Sequence, residues 1–365
     1  MRHPTSPGDV VKARVEAMLD RAVAQRIPLN GSIAMTHRCH LRCVHCYLGD
    51  ERRTVAAGGE LDAAFWCSVI DQVADAGCLE LLITGGEPLL RPDFSAVYTR
   101  ARQRGILVTV FTNGTLIDDR IARVFEELPP ELVEVTLYGA SEETYERVTG
   151  VRGSYRRCLD GVDALLDRGV AVGLKSVILQ ENKEEMSAAR KMARERGVPF
   201  RVDAALFPCR DGDMHPLDHR VLAADAVAIE MEDGDLLRRT AEHFERTRGL
   251  PPEEQLFSCL AGVTGFHVDP LGTLLPCLMV STHGYDLRRG TFREGWETVV
   301  GRFHDQGLAP GYECHRCDVR FLCGTCPAQA GMETGSPHRK AEYMCRLGEA
   351  RLEAVRETAR ERLDK

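Results

Sequence analysis

Three cysteines fall within eight residues near the start of the chain, in CHLRCVHCY, residues 39–47. Three residues separate Cys39 from Cys43, and two separate Cys43 from Cys46. Thiolates are soft ligands, and a loop this compact can wrap three corners of an iron–sulfur cube, leaving the fourth iron open to a small molecule. The same thiolates can take three positions of a tetrahedral zinc site, with His37, His40 and His45 close by in sequence to complete it. Seven more cysteines follow much later: Cys259, Cys277, Cys314, Cys317, Cys323, Cys326 and Cys345. Their CHRC and CGTC pairs suit a zinc ribbon as well as an iron–sulfur site.

The surroundings of these cysteines narrow the chemistry. The chain has 365 residues, 44% hydrophobic and 28% charged, enough for a sizeable core without a disulfide scaffold. Its net charge of −8, with no Lys/Arg-dominated run, argues against nucleic-acid binding. The N-terminal stretch is charged throughout and is no secretory signal, and no run of ~18 apolar residues exists to span a membrane. A cytoplasmic protein is expected. In a reducing compartment, clustered cysteines point to metal and not to disulfides. Cys67, Cys78 and Cys158 read as small buried hydrophobes. Cys209, in FPC, is placed at a strand end where either role fits.

The elements that must position these residues follow a two-part beat. After an amphipathic helix over 8–26, apolar segments rich in Val, Ile, Leu and Thr recur at 31–36, 79–86, 106–114, 132–139, 171–179 and 200–207. Helical patterns alternate with them at 60–76, 93–104, 117–128, 154–168, 183–196 and 218–231. Six such units predict right-handed βαβ crossovers and a parallel sheet or incomplete barrel. Ligands in such folds sit at the C-terminal ends of the strands, where the first cysteine loop falls. Beyond about residue 250 the pattern gives way to Gly-, Pro- and Cys-rich chain, closed by a charged helix over 342–362.

Taken together, these features resemble the radical S-adenosylmethionine (SAM) superfamily. The likeness rests on CxxxCxxC followed by an aromatic residue, Tyr47, on TGGEP at 84–88 ending the second strand, and on TNG at 112–114 ending the third. It implies an α/β fold, a partial (β/α)6 TIM-like barrel, in which Cys39, Cys43 and Cys46 hold a 4Fe–4S cluster. SAM would chelate the open iron. Tyr47, Gly85, Gly86, Glu87, Pro88 and Asn113 are implied SAM contacts, with Glu87 or backbone carbonyls accepting from the methionine ammonium. Thr136 in TLYGA stands where many relatives have serine. Arg147 is the implied partner of the SAM carboxylate, and Lys175 and Leu206 line the site from strands five and six. Many relatives have Asp in place of Tyr138, so no role is carried to Tyr138.

The second cysteine group, with a hairpin expected in HVDPLGTLLPC (267–277) and a short helix after FREGW (292–296), resembles the Cys-rich C-terminal SPASM extension of such enzymes. That likeness implies two auxiliary 4Fe–4S clusters, three clusters in all. Cys314, Cys317, Cys323 and Cys345 would ligate one fully. Cys259, Cys277 and Cys326 would hold the other with one iron open, since LAGVTGF after Cys259 has no cysteine; Cys209 is the candidate fourth ligand. The expected division is an N-terminal helix over 1–27, a radical SAM core over 28–235, a linker or helix over 236–258, a SPASM domain over 259–350 and a helix end over 351–365.

The implied activity is reductive cleavage of SAM to a 5′-deoxyadenosyl radical that abstracts hydrogen from a substrate, an oxidoreductase-type chemistry. Relatives with a full SPASM set mostly modify peptides, so maturation of a ribosomally synthesised peptide by crosslinking, epimerisation or oxidation is expected. A small-molecule substrate such as a tetrapyrrole or sugar is the alternative, and a non-catalytic iron–sulfur electron carrier a further one. Sulfatase maturases carry Asp after the cysteine matching Cys277, where this chain has Leu278. Cys209, Asp203 and Asp211 are candidate catalytic groups, with Asp213 and Asp269 as further candidate bases. Expected partners are a peptide substrate, a separate leader-peptide-binding protein and a flavodoxin- or ferredoxin-type reductant, with no nucleic acid and no membrane.

Overall fold

A computed structural model describes residues 7–49, 59–298 and 300–363. Its centre is one nine-stranded sheet in the order β6-β5-β4-β3-β2-β1-β7-β8-β9. The first six strands are β1 (Asn30–Ala34), β2 (Glu80–Thr84), β3 (Leu107–Thr112), β4 (Leu132–Thr136), β5 (Val172–Val177) and β6 (Phe200–Asp203). All neighbours among them pair in parallel, so each crossover steps the chain in the same direction, as a partial (β/α)6 barrel requires. In β3, Val108 and Val110 are fully buried in the main core, while Phe111 faces the barrel interior. Period-two alternation therefore separates a helix-facing from a cavity-facing side.

The N-terminal helix α1 (Pro7–Gln25) has Val11, Val15, Met18, Leu19 and Val23 exposed, and buries Ala22. The helices that cover the sheet are α2 (Ala63–Asp75), α3 (Phe94–Gln103), α4 (Asp119–Glu127), α5 (Glu142–Thr149), α6 (Ser154–Leu166), α7 (Met186–Glu195) and α8 (Ala223–Met231). Asp62, Asp118 and Ser141 cap α2, α4 and α5 by accepting from a backbone N–H of the first turn. Trp66, Tyr98 and Phe125 are the large side chains packed between helices and sheet, with the Tyr98 and Phe125 rings 5.0 Å apart and edge-on. Helix α5 lies in a stretch where the apolar pattern predicts none, and α9 (Gly234–Thr247) follows α8 as a largely solvent-exposed helix.

The C-terminal third joins the barrel sheet directly. Strand β7 (Gly265–Val268) pairs in parallel with β1, Asn30 opposite Gly265 and Ile33 opposite Val268. The expected hairpin follows: β7 turns through Asp269, whose carboxylate accepts from the Leu271 and Thr273 N–H groups, into antiparallel β8 (Thr273–Leu275). Strand β9 (Tyr285–Asp286) closes that edge, and α10 (Phe292–Thr298) packs Phe292 and Trp296 on Phe266. Short helices α11 (Arg320–Cys323) and α12 (Pro327–Thr334) lead to α13 (Glu342–Leu363). A second core forms where Met344 and Leu347 of α13 meet Ala226 and Val227 of α8. Beside it, the Arg351 guanidinium donates to both oxygens of the buried Glu230 carboxylate at 3.0 and 2.9 Å. Among the described residues, no helix is long and apolar enough to cross a membrane.

Candidate active site

The strands β2 to β6, with the loop that follows β1, open into one cavity of about 370 Å³. Cys39, Cys43 and Cys46 line it, on the loop that follows β1. That loop is held by the strand ends beside it. Arg42 N and Val44 N donate to the carbonyls of Thr149 and Val148 at the end of α5, at 2.8 and 3.0 Å. On the other side, Gly86 N and Glu87 N donate to the carbonyls of Thr36 and Arg38 at 2.7 and 2.9 Å. The two glycines of TGGEP are needed for this approach. A Cβ on Gly85 would stand 2.4 Å from the Thr36 carbonyl oxygen, and one on Gly86 2.4 Å from those of His37 and Arg38. Their close contact is thus with the backbone just before Cys39, while both also border the cavity.

Of the other residues expected at the site, Tyr47, Asn113, Thr136, Lys175 and Asp203 line this cavity. The Asn113 amide Nδ2 lies 3.9 Å from Cys39 Sγ, and its Oδ1 is fixed by Thr115 N–H and Oγ1. Glu87 is fully buried and bound to its own protein, accepting from Leu89 N, Thr112 Oγ1 and Asn113 N at 3.1, 2.8 and 2.8 Å. Pro88 is buried and starts a 3₁₀ turn with Leu89 and Leu90. Arg147 lies on the C-terminal turn of α5, donating to Thr144 Oγ1 and the Glu181 carbonyl. Leu206, expected to line the site, instead packs with Val148 and Leu179 in a small core and is not among the residues that line the cavity.

Further side chains complete the site. Tyr138, after β4, sits beside all three cysteines and edge-on to His45, ring centroids 4.9 Å apart. Burial, reinforced by the neighbouring thiols, pushes its hydroxyl well above the usual range, so it stays protonated. Behind the cavity wall, Glu134 of β4 joins two lining residues, Lys175 of β5 at 3.2 Å and Arg201 of β6 at 3.0 Å. The Lys175 ammonium lies over the Phe111 ring, and burial lowers its pKa to about 7 against the pull of Glu134. Leu278 reaches the same cavity from the C-terminal third, one residue after Cys277. Its adjacency to a cysteine was the signal available for it.

The later cysteines fall into two neighbourhoods. Burial raises both Cys277 and Cys326; Cys259 then raises Cys277 further, and Cys277 followed by Cys259 raises Cys326, which places these three together. Cys314, Cys317, Cys323 and Cys345 form the other neighbourhood, each of Cys314, Cys323 and Cys345 feeling others of the set. Cys209 stands apart, with its Sγ donating to the Cys46 carbonyl at 3.4 Å. Asp211 and Asp213 lie on its loop, and Asp269 holds the hairpin turn. Cys67 is half-buried, and Cys78 and Cys158 are buried with thiols pushed up to about 12 by burial.

The residues around the first loop fit a cube better than a single ion. Among the described residues, Cys209, Asp213 and His215 form the one group whose ligand atoms all lie within 4.8 Å of one another. Cys39, Cys43 and Cys46 share a cavity without such closeness, and His37, His40 and His45 do not complete a tighter set with them. One thiolate per iron corner calls for that spread, whereas a zinc ion draws its ligands together.

Comparison with known proteins agrees. Residues 33–193 match the Radical SAM superfamily. Over 333 residues the chain is 29% identical to an AdoMet-dependent heme synthase of Methanosarcina barkeri, covering 85% of this chain and 94% of that one. Over 320 residues it is 26% identical to a PqqA peptide cyclase of Ruegeria pomeroyi, covering 83% of each. The fold is similar to that of Streptococcus suis SuiB bound to S-adenosylmethionine, with a TM-score of 0.69 over 94% of this chain and 82% of that chain at 18% identity. With the thiolate loop, the glycine-mediated docking of β2 and the cysteine-rich extension all in place, residues 33–193 form a radical SAM domain, followed by a cysteine-rich extension that resembles the SPASM type.

Proposed function

We propose that this chain is a cytoplasmic enzyme that cleaves SAM reductively and modifies a ribosomally synthesised peptide. The observation that carries this reading is the cavity itself: Cys39, Cys43 and Cys46 share it with Leu278, which adjoins a cysteine of the second group. Similarity to PqqA peptide cyclases extends over both of those parts. Bound at the first loop, a 4Fe–4S cluster and SAM supply a hydrogen-abstracting 5′-deoxyadenosyl radical. The chain's own residues then do the rest. Lys175 and Arg201 offer positive charge to a carboxylate, with Glu134 holding both in place. The Asn113 amide and the backbone at Gly85 and Gly86 offer polar contacts at the cluster edge. Leu278 and Phe111 present apolar walls that keep water from a radical.

In this reading, Cys314, Cys317, Cys323 and Cys345 hold one auxiliary cluster with four thiolates. Cys259, Cys277 and Cys326 hold a second with three, one iron remaining open beside the cavity. A flavodoxin- or ferredoxin-type protein delivers the electron, and a separate protein binds the leader peptide.

One observation favours a second reading, a tetrapyrrole substrate: the 29% identity with the heme synthase over nearly its whole length. One experiment separates the two. The anaerobically reconstituted enzyme is expected to convert SAM to 5′-deoxyadenosine with dithionite, and Cys43→Ala to abolish this. Co-expression with a short peptide encoded beside the gene, followed by mass spectrometry and chiral amino-acid analysis, is expected to show a modified residue. An unmodified peptide, together with heme formation from an iron tetrapyrrole by the same preparation, decides for the tetrapyrrole.

A further inference from the structure

The loop after β6 carries ligand groups that SAM cleavage does not use. Its residues Pro208 to His215 form a tight turn, Cys209 N–H donating to the Asp213 carbonyl at 2.8 Å and Gly212 N–H to the Cys209 carbonyl at 3.0 Å. The turn brings three different donor types together. Cys209 Sγ lies 3.8 Å from His215 Nδ1, and His215 Nδ1 lies 3.0 Å from Asp213 Oδ2. Asp213 Oδ1 accepts from His215 N–H at 3.0 Å, which orients the carboxylate so that its other oxygen faces the imidazole. The thiol is fully buried, while the Asp213 and His215 side chains are 59% and 43% exposed.

These separations are those of ligands around one ion. Zinc binds sulfur at about 2.3 Å and nitrogen or oxygen at about 2.0–2.2 Å, so tetrahedral partners stand roughly 3–4 Å apart. A thiolate with an imidazole and a carboxylate selects a borderline transition metal over magnesium or calcium, which prefer all-oxygen sites. The exposed rim leaves a fourth position for water.

We propose that Cys209, Asp213 and His215 bind a zinc ion that fixes the loop after β6 in place beside the loop carrying Cys46. The two loops already touch, and the first of these contacts is kept when the metal binds. Arg210 N–H donates to the Tyr47 carbonyl at 2.8 Å, and Cys209 Sγ to the Cys46 carbonyl at 3.4 Å. Binding converts the thiol to a thiolate and releases its proton to solvent, so the Sγ–H donation to Cys46 is exchanged for a bond to the metal.

The test uses the anaerobically purified holoenzyme, clusters intact, equilibrated with zinc sulfate and then dialysed. Zinc and iron are measured together by plasma mass spectrometry, and the zinc shell by X-ray absorption at the zinc edge. About one zinc per chain is expected, with one sulfur and three lighter ligands. His215→Ala, at an exposed position that does not threaten folding, and Cys209→Ser are each expected to weaken zinc binding at least about tenfold with iron content unchanged. A wild-type protein that retains no zinc overturns the proposal. So does a His215→Ala variant that holds zinc as well as wild type, or a shell of three or four sulfurs, which places the metal among the other cysteines.

Discussion

Glu87 brings a carboxylate to a place water does not reach. Its motif suggests a ligand contact, but its three hydrogen bonds tie the end of β2 to Thr112 and Asn113 at the end of β3. It thereby sets the position of the Asn113 amide that faces Cys39. Burial pushes its pKa up to about 7, outweighing the three bonds that pull it down. The folded chain therefore holds a proton here that the unfolded chain gives up at ordinary carboxylate pH. The stabilising contribution is fully present below the unfolded pKa and is lost as pH rises through about 7. The shift corresponds to at most about 3 kcal/mol. Glu87→Gln cannot titrate and leaves one buried donor without an acceptor, at a cost of about 1–3 kcal/mol. Urea unfolding midpoints measured from pH ~5 to pH ~8 are expected to show that deficit at the acid end and its progressive narrowing as the wild type loses stability. Parallel profiles for the two proteins would mean that Glu87 is charged throughout.

Helix α13 shows how an element, and not a loop, brings a distant cysteine to its neighbours. It carries Cys345 against α11, which ends in Cys323, and the two meet at Gly348. A Cβ there would stand 2.7 Å from Cys323 Cβ and 2.9 Å from its Cα, backbone that has nowhere to move. Gly348→Ala is expected to lift the helix and part Cys345 from the other three cysteines. The reconstituted variant should lose about four iron atoms per chain while still cleaving SAM with dithionite; full iron content would show that this contact does not set the cluster. Elements of this kind also mark how far the sequence could be read. The six barrel strands are legible as short apolar runs because burial against the helices, with the other face turned to the barrel interior, acts on each strand locally. The first cysteine loop is legible because its spacing is local too. Helix α5 escaped the apolar pattern, although Ser141 and Gly150 mark its ends as caps. Tyr138 lies at a strand end the sequence marks, but that Leu278 docks into the same cavity depends on contact between distant segments, which no local pattern encodes. The β7–β1 pairing has the same cause: GFHV is short, and its partner lies at the other end of the chain.

That pairing decides how the whole molecule holds together. With β7 present, β1 is an interior strand, hydrogen-bonded to β2 on one side and β7 on the other. Phe266, Val268, Leu274, Phe292 and Trp296 from the C-terminal third are all buried in the same core as the barrel strands. Each is worth roughly 1.5–3 kcal/mol of burial, so together they supply on the order of 10 kcal/mol. That is comparable with the entire net stability of a typical domain, about 5–15 kcal/mol. The barrel and the cysteine-rich extension are therefore one folding unit, although their compositions differ. A chain ending at residue 258 would expose those apolar surfaces and turn β1 into an open edge, a template for pairing with other chains. It is expected to bind a hydrophobic dye, to aggregate on concentration and to show no cooperative thermal transition, even if Cys39, Cys43 and Cys46 are reconstituted with iron and sulfide. A monodisperse fragment with a sharp transition would show instead that the six-stranded barrel closes its own core. In that case the coupling between the SAM site and the second cysteine group would rest on Leu278 and its neighbours at the cavity, and not on the shared sheet.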